Sequence, residues 1–198
     1  MKRGKVLLLL GILLVVIDQV IKILVRTSMS IGESIHVFGD WFQILYIENN
    51  GMAFGMAFGG IVGKFLLSFF RICLFSALCW WITKLCRRNE SIEKGILKEM
   101  PVPVGVLYGL TLITAGAMGN IIDSLFYGVI FGYAPFMFGQ VVDMFYFPLW
   151  TWPDWMPVCG GNIFIFFSPI FNIADASITC GVIALILFCR KYYLKSSC

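Results

Sequence analysis

The sequence predicts a mainly α-helical integral membrane protein with four transmembrane helices, a small extracytoplasmic β-hairpin or cradle and an outer surface loop. Hydrophobic residues make up 60% of the 198 residues and charged residues only 13%, a balance typical of membrane proteins. Apolar runs of about 20 residues, the length that spans a hydrocarbon core of roughly 30 Å as a helix, occur four times. Because no internal repeat or long Ser/Gly/Pro linker divides the chain, we expect one membrane-embedded domain, 1–198.

The four predicted spans cover about 5–25, 61–83, 102–122 and 171–189. The first begins like a secretory signal peptide, with basic residues before a run of leucines. Asp18 and Lys22 interrupt this run, and no small-x-small cleavage site follows. We therefore predict an uncleaved first span.

The distribution of Lys and Arg predicts the orientation in the membrane. These residues collect in the N-terminal tail (2–5), in the link between the second and third spans (84–98) and in the C-terminal tail (190–195). Cationic loops remain on the cytoplasmic side, so both termini are expected in the cytoplasm. This arrangement also accounts for the net charge of +4, and no nucleic-acid partner is predicted. The outward-facing connections are about 26–60 and 123–170.

The two outer connections differ in pattern. In the first, residues 34–38 and 42–47 alternate between apolar and polar side chains around a Gly39-Asp40 turn signal, which predicts a β-hairpin. In the second, Pro148, Pro153 and Pro157 lie among tryptophans, and we expect a loop on the membrane surface.

Acidic residues are the most unusual feature of the apolar region. Between positions 101 and 189 the only formal charges are Asp123, Asp143, Asp154 and Asp175. A carboxylate in such surroundings is costly. Asp143 and Asp175 have apolar neighbours and no basic residue nearby in sequence, a pattern typical of carboxylates used for chemistry or ion passage.

The unusual polar residues of the spans fall at one depth in the predicted topology. All lie near the outer ends of spans or just beyond them, which predicts a single polar site near the outer leaflet surface. They are Asp18, Lys22, Asn49, Asn50, Asn120, Asp123, Asn172 and Asp175.

Five short motifs contain these residues. They are Asp-x-x-x-Lys at 18–22, Asn-x-Gly-x-Ala-Phe at 49–54, Gly-x-x-Gly-Asn-x-x-Asp at 116–123, Val-Val-Asp at 141–143 and Phe-Asn-x-Ala-Asp at 171–175. With these motifs the chain resembles the lipoprotein signal peptidases, the type II signal peptidases of bacteria, over nearly all of its length. The resemblance implies an aspartyl protease of the bacterial inner membrane that removes signal peptides from diacylglyceryl-modified prolipoproteins, cutting before the lipidated cysteine.

The same resemblance implies that Asp143 and Asp175 are the catalytic pair. Two carboxylates can hydrolyse a peptide bond when one is ionised and takes a proton from water while the other, neutral, donates to the carbonyl oxygen. No metal or other cofactor is required. The matching motifs assign substrate-binding or supporting roles to Asn49, Gly51, Asn120, Asn172 and Ala174.

The charged residues beside the pair have two interpretations. Asp18 and Lys22 are four residues apart and lie on one helix face, where they can form an ion pair. This pair either neutralises two charges within the membrane or shapes the substrate pocket. Asp123 is interpreted as a structural brace rather than a nucleophile.

Two features depart from the family pattern. Ser124 stands where an arginine usually follows the motif aspartate, and the interval from Asp143 to Asp175 is longer than usual, which affects the expected shape of the outer loop. Arg71, in the middle of the second span, either supplies a compensating charge or snorkels to a lipid phosphate.

The expected partners are prolipoprotein substrates, membrane lipids and the cyclic peptide inhibitors of the family, and a monomer is the simplest assembly. The main alternative function is a small proton- or cation-coupled transporter, because acidic residues in spans also form ion relays. A relay would distribute polar residues through the membrane depth. His36 is the only histidine, so neither a His-based metal site nor a Ser-His triad is expected.

Overall fold

The computed structural model describes residues 2–50, 60–151, 165–166 and 169–196. Its helices are α1 (Lys2–Ser28), α2 (Gly60–Glu93), α3 (Val104–Ile122), α4 (Gly128–Ile130) and α5 (Ile173–Ser196). A π-helical turn, Asp123–Tyr127, joins α3 to α4 without a break. The third span is therefore longer than the sequence predicts, because the polar residues at 123 and 124 do not end the helix.

Three described helices are long and apolar enough to cross a membrane: Gly4–Ser28, Gly60–Glu93 and Val104–Ile130. The apolar part of α5 is shorter, Ile173–Cys189. In the most apolar stretch of each helix, 56% of the residues of the third helix are buried, but only 6% of those of the second. The greater burial makes α3 the central helix of the bundle. The apolar helices, with the small sheet described below, confirm the predicted fold class.

Packing of the bundle is built around α3. This helix contacts α5 most extensively, then α1 and α2, while α1 and α2 have little contact with each other. Small residues permit the closest approach, since Gly109 and Gly181 face each other across α3 and α5 and Gly116 faces Ala174. Close backbone contact of this kind is a common source of helix association in membranes.

Replacing Gly116 by Ala is expected to destabilise the bundle by about 1–3 kcal/mol, as overpacking does in close-packed interiors. The added methyl group would collide with the carbonyl oxygen of Ala174, which belongs to backbone and cannot rotate away. Unfolding of the purified variant in detergent measures the effect. Gly4→Ala is the control, since no atom lies within 4 Å of its added methyl group; equal stability of the two variants would contradict this packing role.

A four-stranded antiparallel sheet covers one end of the bundle, in the order β1-β2-β3-β6. Its strands are β1 (Ser34–Phe38), β2 (Phe42–Asn49), β3 (Val141–Tyr146) and β6 (Ile170–Phe171), while β4 (Trp150–Thr151) pairs separately with β5 (Ile165–Phe166). The predicted hairpin is confirmed as β1 and β2.

The second outer connection contains more regular structure than predicted. Its strand β3 joins the hairpin at β2, and β6 pairs with β3. The first four residues of β3 are buried, so the strand has no apolar-polar alternation by which the sequence could reveal it. Pro153 and Pro157 lie outside the described residues.

Arg26, in the last turn of α1, connects the helix to the sheet and to the segment after α4. Its guanidinium donates to the Tyr46 hydroxyl at 3.1 Å and forms an ion pair with Glu48 on the same strand. It also lies 4.2 Å from the ring centroid of Phe131 and 4.8 Å from that of Tyr133, within the range of cation-π attraction. These contacts fix the position of β2 over the helices.

Candidate active site

The two aspartates predicted as the catalytic pair lie at the boundary between sheet and bundle. Asp143 is in β3, and Asp175 is in the first turn of α5. Asn49 and Asn172 donate to the Asp143 carboxylate at 3.1 and 2.7 Å, and Asn120 donates to that of Asp175 at 2.8 Å. Each carboxylate is therefore oriented by an asparagine amide, as the motifs indicated.

Local sequence explains the position of Asp175. The side chain of Asn172 accepts from the Asp175 N–H at 2.9 Å, and the Asp175 carboxylate accepts from the Asn172 N–H at 3.3 Å. This reciprocal pair is a capping box, which begins α5 and orients the carboxylate. Because the Asn172 amide also donates to Asp143, one buried side chain connects the two aspartates.

Asp143 is only 4% exposed. Burial, and after it the charge of Asp175, raise the pKa of Asp143 to about 7, against the opposing hydrogen bonds from Asn49 and Asn172. Near neutral pH, Asp143 can therefore hold a proton that an ordinary aspartate would have lost.

Lys22 forms the centre of a second buried cluster. Its ammonium lies 2.9 Å from Asp18 and 2.7 Å from Asp123, and it donates to the side-chain oxygen of Asn120 at 3.0 Å. The predicted pair of Asp18 and Lys22 is thus present, but Asp123 also contacts the same lysine. Asp18 in addition accepts the Ala174 N–H at 2.9 Å, which fixes the first turn of α5 against α1.

Gln19 and Tyr127 complete this cluster, although the sequence analysis did not identify them. The Gln19 amide donates to Asp123 at 2.9 Å and to Asp18 at 3.2 Å, and the Tyr127 hydroxyl donates to the Gln19 oxygen at 3.1 Å. The sequence offers only weak indications of these two residues. Gln19 is a polar residue next to Asp18 in an apolar span, and Tyr127 follows Asp123 by one helical turn.

The π-helical turn helps to position β3. It leaves the Ser124 and Leu125 carbonyl oxygens to accept from the N–H groups of Gly139 and Met137, at 2.9 and 3.2 Å. A side chain at Gly139 would collide with the Asp123 carbonyl oxygen, so only glycine allows this approach. Single π turns are frequent at functional sites, and this one contacts the segment that leads into β3, the strand that contains Asp143.

The structure brings nearly all the predicted site residues together: Asp18, Lys22, Asn49, Asn120, Asp123, Asp143, Asn172, Ala174 and Asp175. Gly51 lies outside the described residues. Within the described ranges, no group of three or more His, Cys, Asp or Glu side chains is arranged to hold a metal ion.

Comparisons with known proteins identify relatives of this chain. Lipoprotein signal peptidases from Porphyromonas gingivalis and Amoebophilus asiaticus are 44% and 38% identical, over 93% and 90% of this chain and 83% and 75% of their own. A solved bacterial membrane enzyme structure superposes with a TM-score of 0.62 at 29% identity, covering 94% of this chain and 88% of the other. A family model described as signal peptidase (SPase) II matches residues 10–191. The chain belongs to the signal peptidase II family.

Proposed function

We propose that this membrane peptidase is an aspartyl endopeptidase with Asp143 and Asp175 as its catalytic pair. Its substrates are diacylglyceryl-modified prolipoproteins, which it cuts before the lipidated cysteine. The observation that carries the proposal is the connection of the two aspartates by Asn172 at one end of an apolar bundle. Its side chain donates to the Asp143 carboxylate and accepts from the Asp175 N–H, and its own N–H donates to the Asp175 carboxylate. Membership of the signal peptidase II family supports the substrate class.

The two aspartates have different surroundings, which suggests different roles. Asp143, with its raised pKa, is the neutral member and donates a hydrogen bond to the scissile carbonyl oxygen. Asp175 lies at the N-terminus of α5, where the helix dipole stabilises negative charge. It takes a proton from water as the water oxygen bonds to the carbonyl carbon. It then gives this proton to the leaving nitrogen as the C–N bond breaks, which returns Asp175 to its ionised form.

The remaining predicted residues support this chemistry. Asn49, Asn120 and Asn172 orient the carboxylates, and Gly51 belongs to the segment expected to contact substrate. The Asp18, Lys22 and Asp123 cluster shapes the pocket and, through Ala174, holds the start of α5.

Both termini face the cytoplasm, the site faces outward, and residues 1–198 form one domain in contact with membrane lipids. A monomer is the simplest assembly, because one chain contains every motif of the predicted site. The cyclic peptide inhibitors of the family are expected to bind at the same site. The buried acidic groups converge on one end of the bundle rather than crossing it, and nothing favours the transporter alternative.

The rate of cleavage is expected to have a bell-shaped dependence on pH. The rate should decrease as the pH rises through about 7, because Asp143 loses its proton there and can no longer act as the acid. The rate should also decrease at low pH, where the second carboxylate becomes protonated. The midpoints of both decreases are properties of the coupled pair and not of either residue alone. Initial rates on a lipidated precursor between about pH 4 and pH 9 measure the curve. A rate that rises steadily through pH 9 would contradict this assignment.

The substrate class is tested with two forms of one prolipoprotein. The purified chain in detergent or lipid should cut the diacylglyceryl-modified precursor and leave the unmodified precursor intact. Mass spectrometry of the products gives the bond that is cut. Equal cleavage of both forms would contradict recognition of the lipid, and no cleavage of either would contradict the proposed function.

A further inference from the structure

Arg71 lies in the middle of α2, roughly 16 Å along the helix from its outer end at 1.5 Å per residue. A guanidinium at this depth is costly unless it has polar partners. The structure turns it inward, where it donates to the Ser124 hydroxyl at 2.7 Å. Arg71 is therefore directed to the interior of the bundle and not to a lipid phosphate.

The guanidinium faces the carboxylates of the site. Among them its electrostatic attraction is strongest to Asp175, followed by Asp123 and Asp143. Lys22 is closely paired with Asp18 and Asp123. Arg71 thus approaches Asp175 from α2, with a charge that lies outside the Lys22 cluster.

Hydrogen bonds also connect Arg71 to Asp175 through two intermediate residues. The Ser124 hydroxyl, which accepts from Arg71, donates to the Asn120 carbonyl oxygen at 2.8 Å. The Asn120 amide in turn donates to Asp175 at 2.8 Å. Arg71 therefore supports the residue that orients Asp175 and also acts on Asp175 through its charge.

We propose that Arg71 is a positioning residue that sustains the negative charge on Asp175, by its own charge and through Ser124 and Asn120. The inference rests on the proposed function, since it assigns Asp175 the role of proton acceptor. A structural cation would only hold α2 in place, whereas this role makes the ionisation of the catalytic pair depend on residue 71.

The charged groups of the site come from several elements. Asp143 in β3 and Arg71 in α2 interact with Asp175 through their charges, and beside them lie Asp18 and Lys22 in α1 and Asp123 in the π-helical turn. The negative members oppose the ionisation of Asp175, and the two cations favour it. Removing Arg71 takes away one of these two, so Asp175 should hold its proton to a higher pH.

The variant Arg71→Met is expected to move the acid side of the pH-rate curve upward by about one pH unit, the low end of the effect of a close opposite charge. On that side of the curve the rate should fall about tenfold at a given pH. Arg71→Lys keeps a positive charge and should retain most of the wild-type curve. Arg87→Met removes a cation of the same helix roughly 24 Å further along and should leave the curve unchanged.

A second measurement needs no turnover. Infrared spectroscopy of the carboxyl C=O band, with Asp175→Asn to identify the Asp175 contribution, follows its protonation in wild type and in Arg71→Met. The band should persist to higher pH in Arg71→Met. An unchanged band and an unchanged pH-rate curve would overturn the inference while cleavage by the wild type still supports the proposed function.

The double variant Arg71→Ser with Ser124→Arg exchanges the two hydrogen-bonded side chains, so that the guanidinium extends from the π-helical turn and not from α2. It should bring the acid side of the curve back toward wild type. A lower rate in Arg71→Met at every pH, with no movement of the curve and no recovery in the double variant, would assign Arg71 a purely structural role. Failure of the wild type to cut a lipidated precursor would instead contradict the proposed function, and the infrared titration would still decide the inference.

Discussion

Asp143→Asn and Asp175→Asn are each expected to lower the rate of prolipoprotein cleavage by about a thousandfold or more, within the range of general acid–base contributions. Asparagine has nearly the same shape as aspartate but can neither take a proton from water nor provide an acidic proton. The asparagines around the pair can still hydrogen-bond to the new side chains. The loss should therefore reflect chemistry rather than misfolding.

The control is a matched change outside the site. Asp40 is almost fully exposed at the turn of the hairpin, and Asp40→Asn should keep the wild-type rate. Thermal unfolding in detergent establishes whether all three variants are folded, and a chelator should leave the wild-type rate unchanged. Substantial cleavage by a folded Asp143→Asn or Asp175→Asn variant would remove that residue from the catalytic pair.

Lys22→Met is expected to cost about 3–5 kcal/mol of stability, the usual result of removing one partner from a buried ion pair. Methionine fills a similar volume, but it leaves two carboxylates, Asp18 and Asp123, facing each other in a buried cluster without their cation. Asn120 also loses a donor to its side-chain oxygen. Equilibrium unfolding of the purified protein in detergent measures the change.

Two further variants separate the buried charge from general effects of the substitution. Lys5→Met changes an exposed lysine of the same helix and should alter stability by less than about 0.5 kcal/mol. Adding Asp18→Asn and Asp123→Asn to Lys22→Met removes the uncompensated charges and should recover a large part of the loss. If Lys22→Met is as stable as Lys5→Met, the cluster does not hold α1 against the π-helical turn.

Some features of the site were predictable from the sequence and others were not. Asn172 and Asp175 were identified from a motif, and their capping box depends only on local sequence. Gln19 was missed because its partner Asp123 is 104 residues away. Strand β3 was missed because burial removed the alternation that normally reveals a strand.

The sequence by itself determined the membrane class, the apolar helices, the hairpin and the family, because hydrophobic length, alternation and motif spacing are read along one dimension. Only the tertiary structure decided that Lys22 lies between Asp18 and Asp123, that Asn172 connects the two predicted catalytic aspartates and that Arg71 turns inward to Ser124. These are distances between side chains far apart in the chain. They depend on how closely α3 approaches its neighbours, which no local pattern specifies.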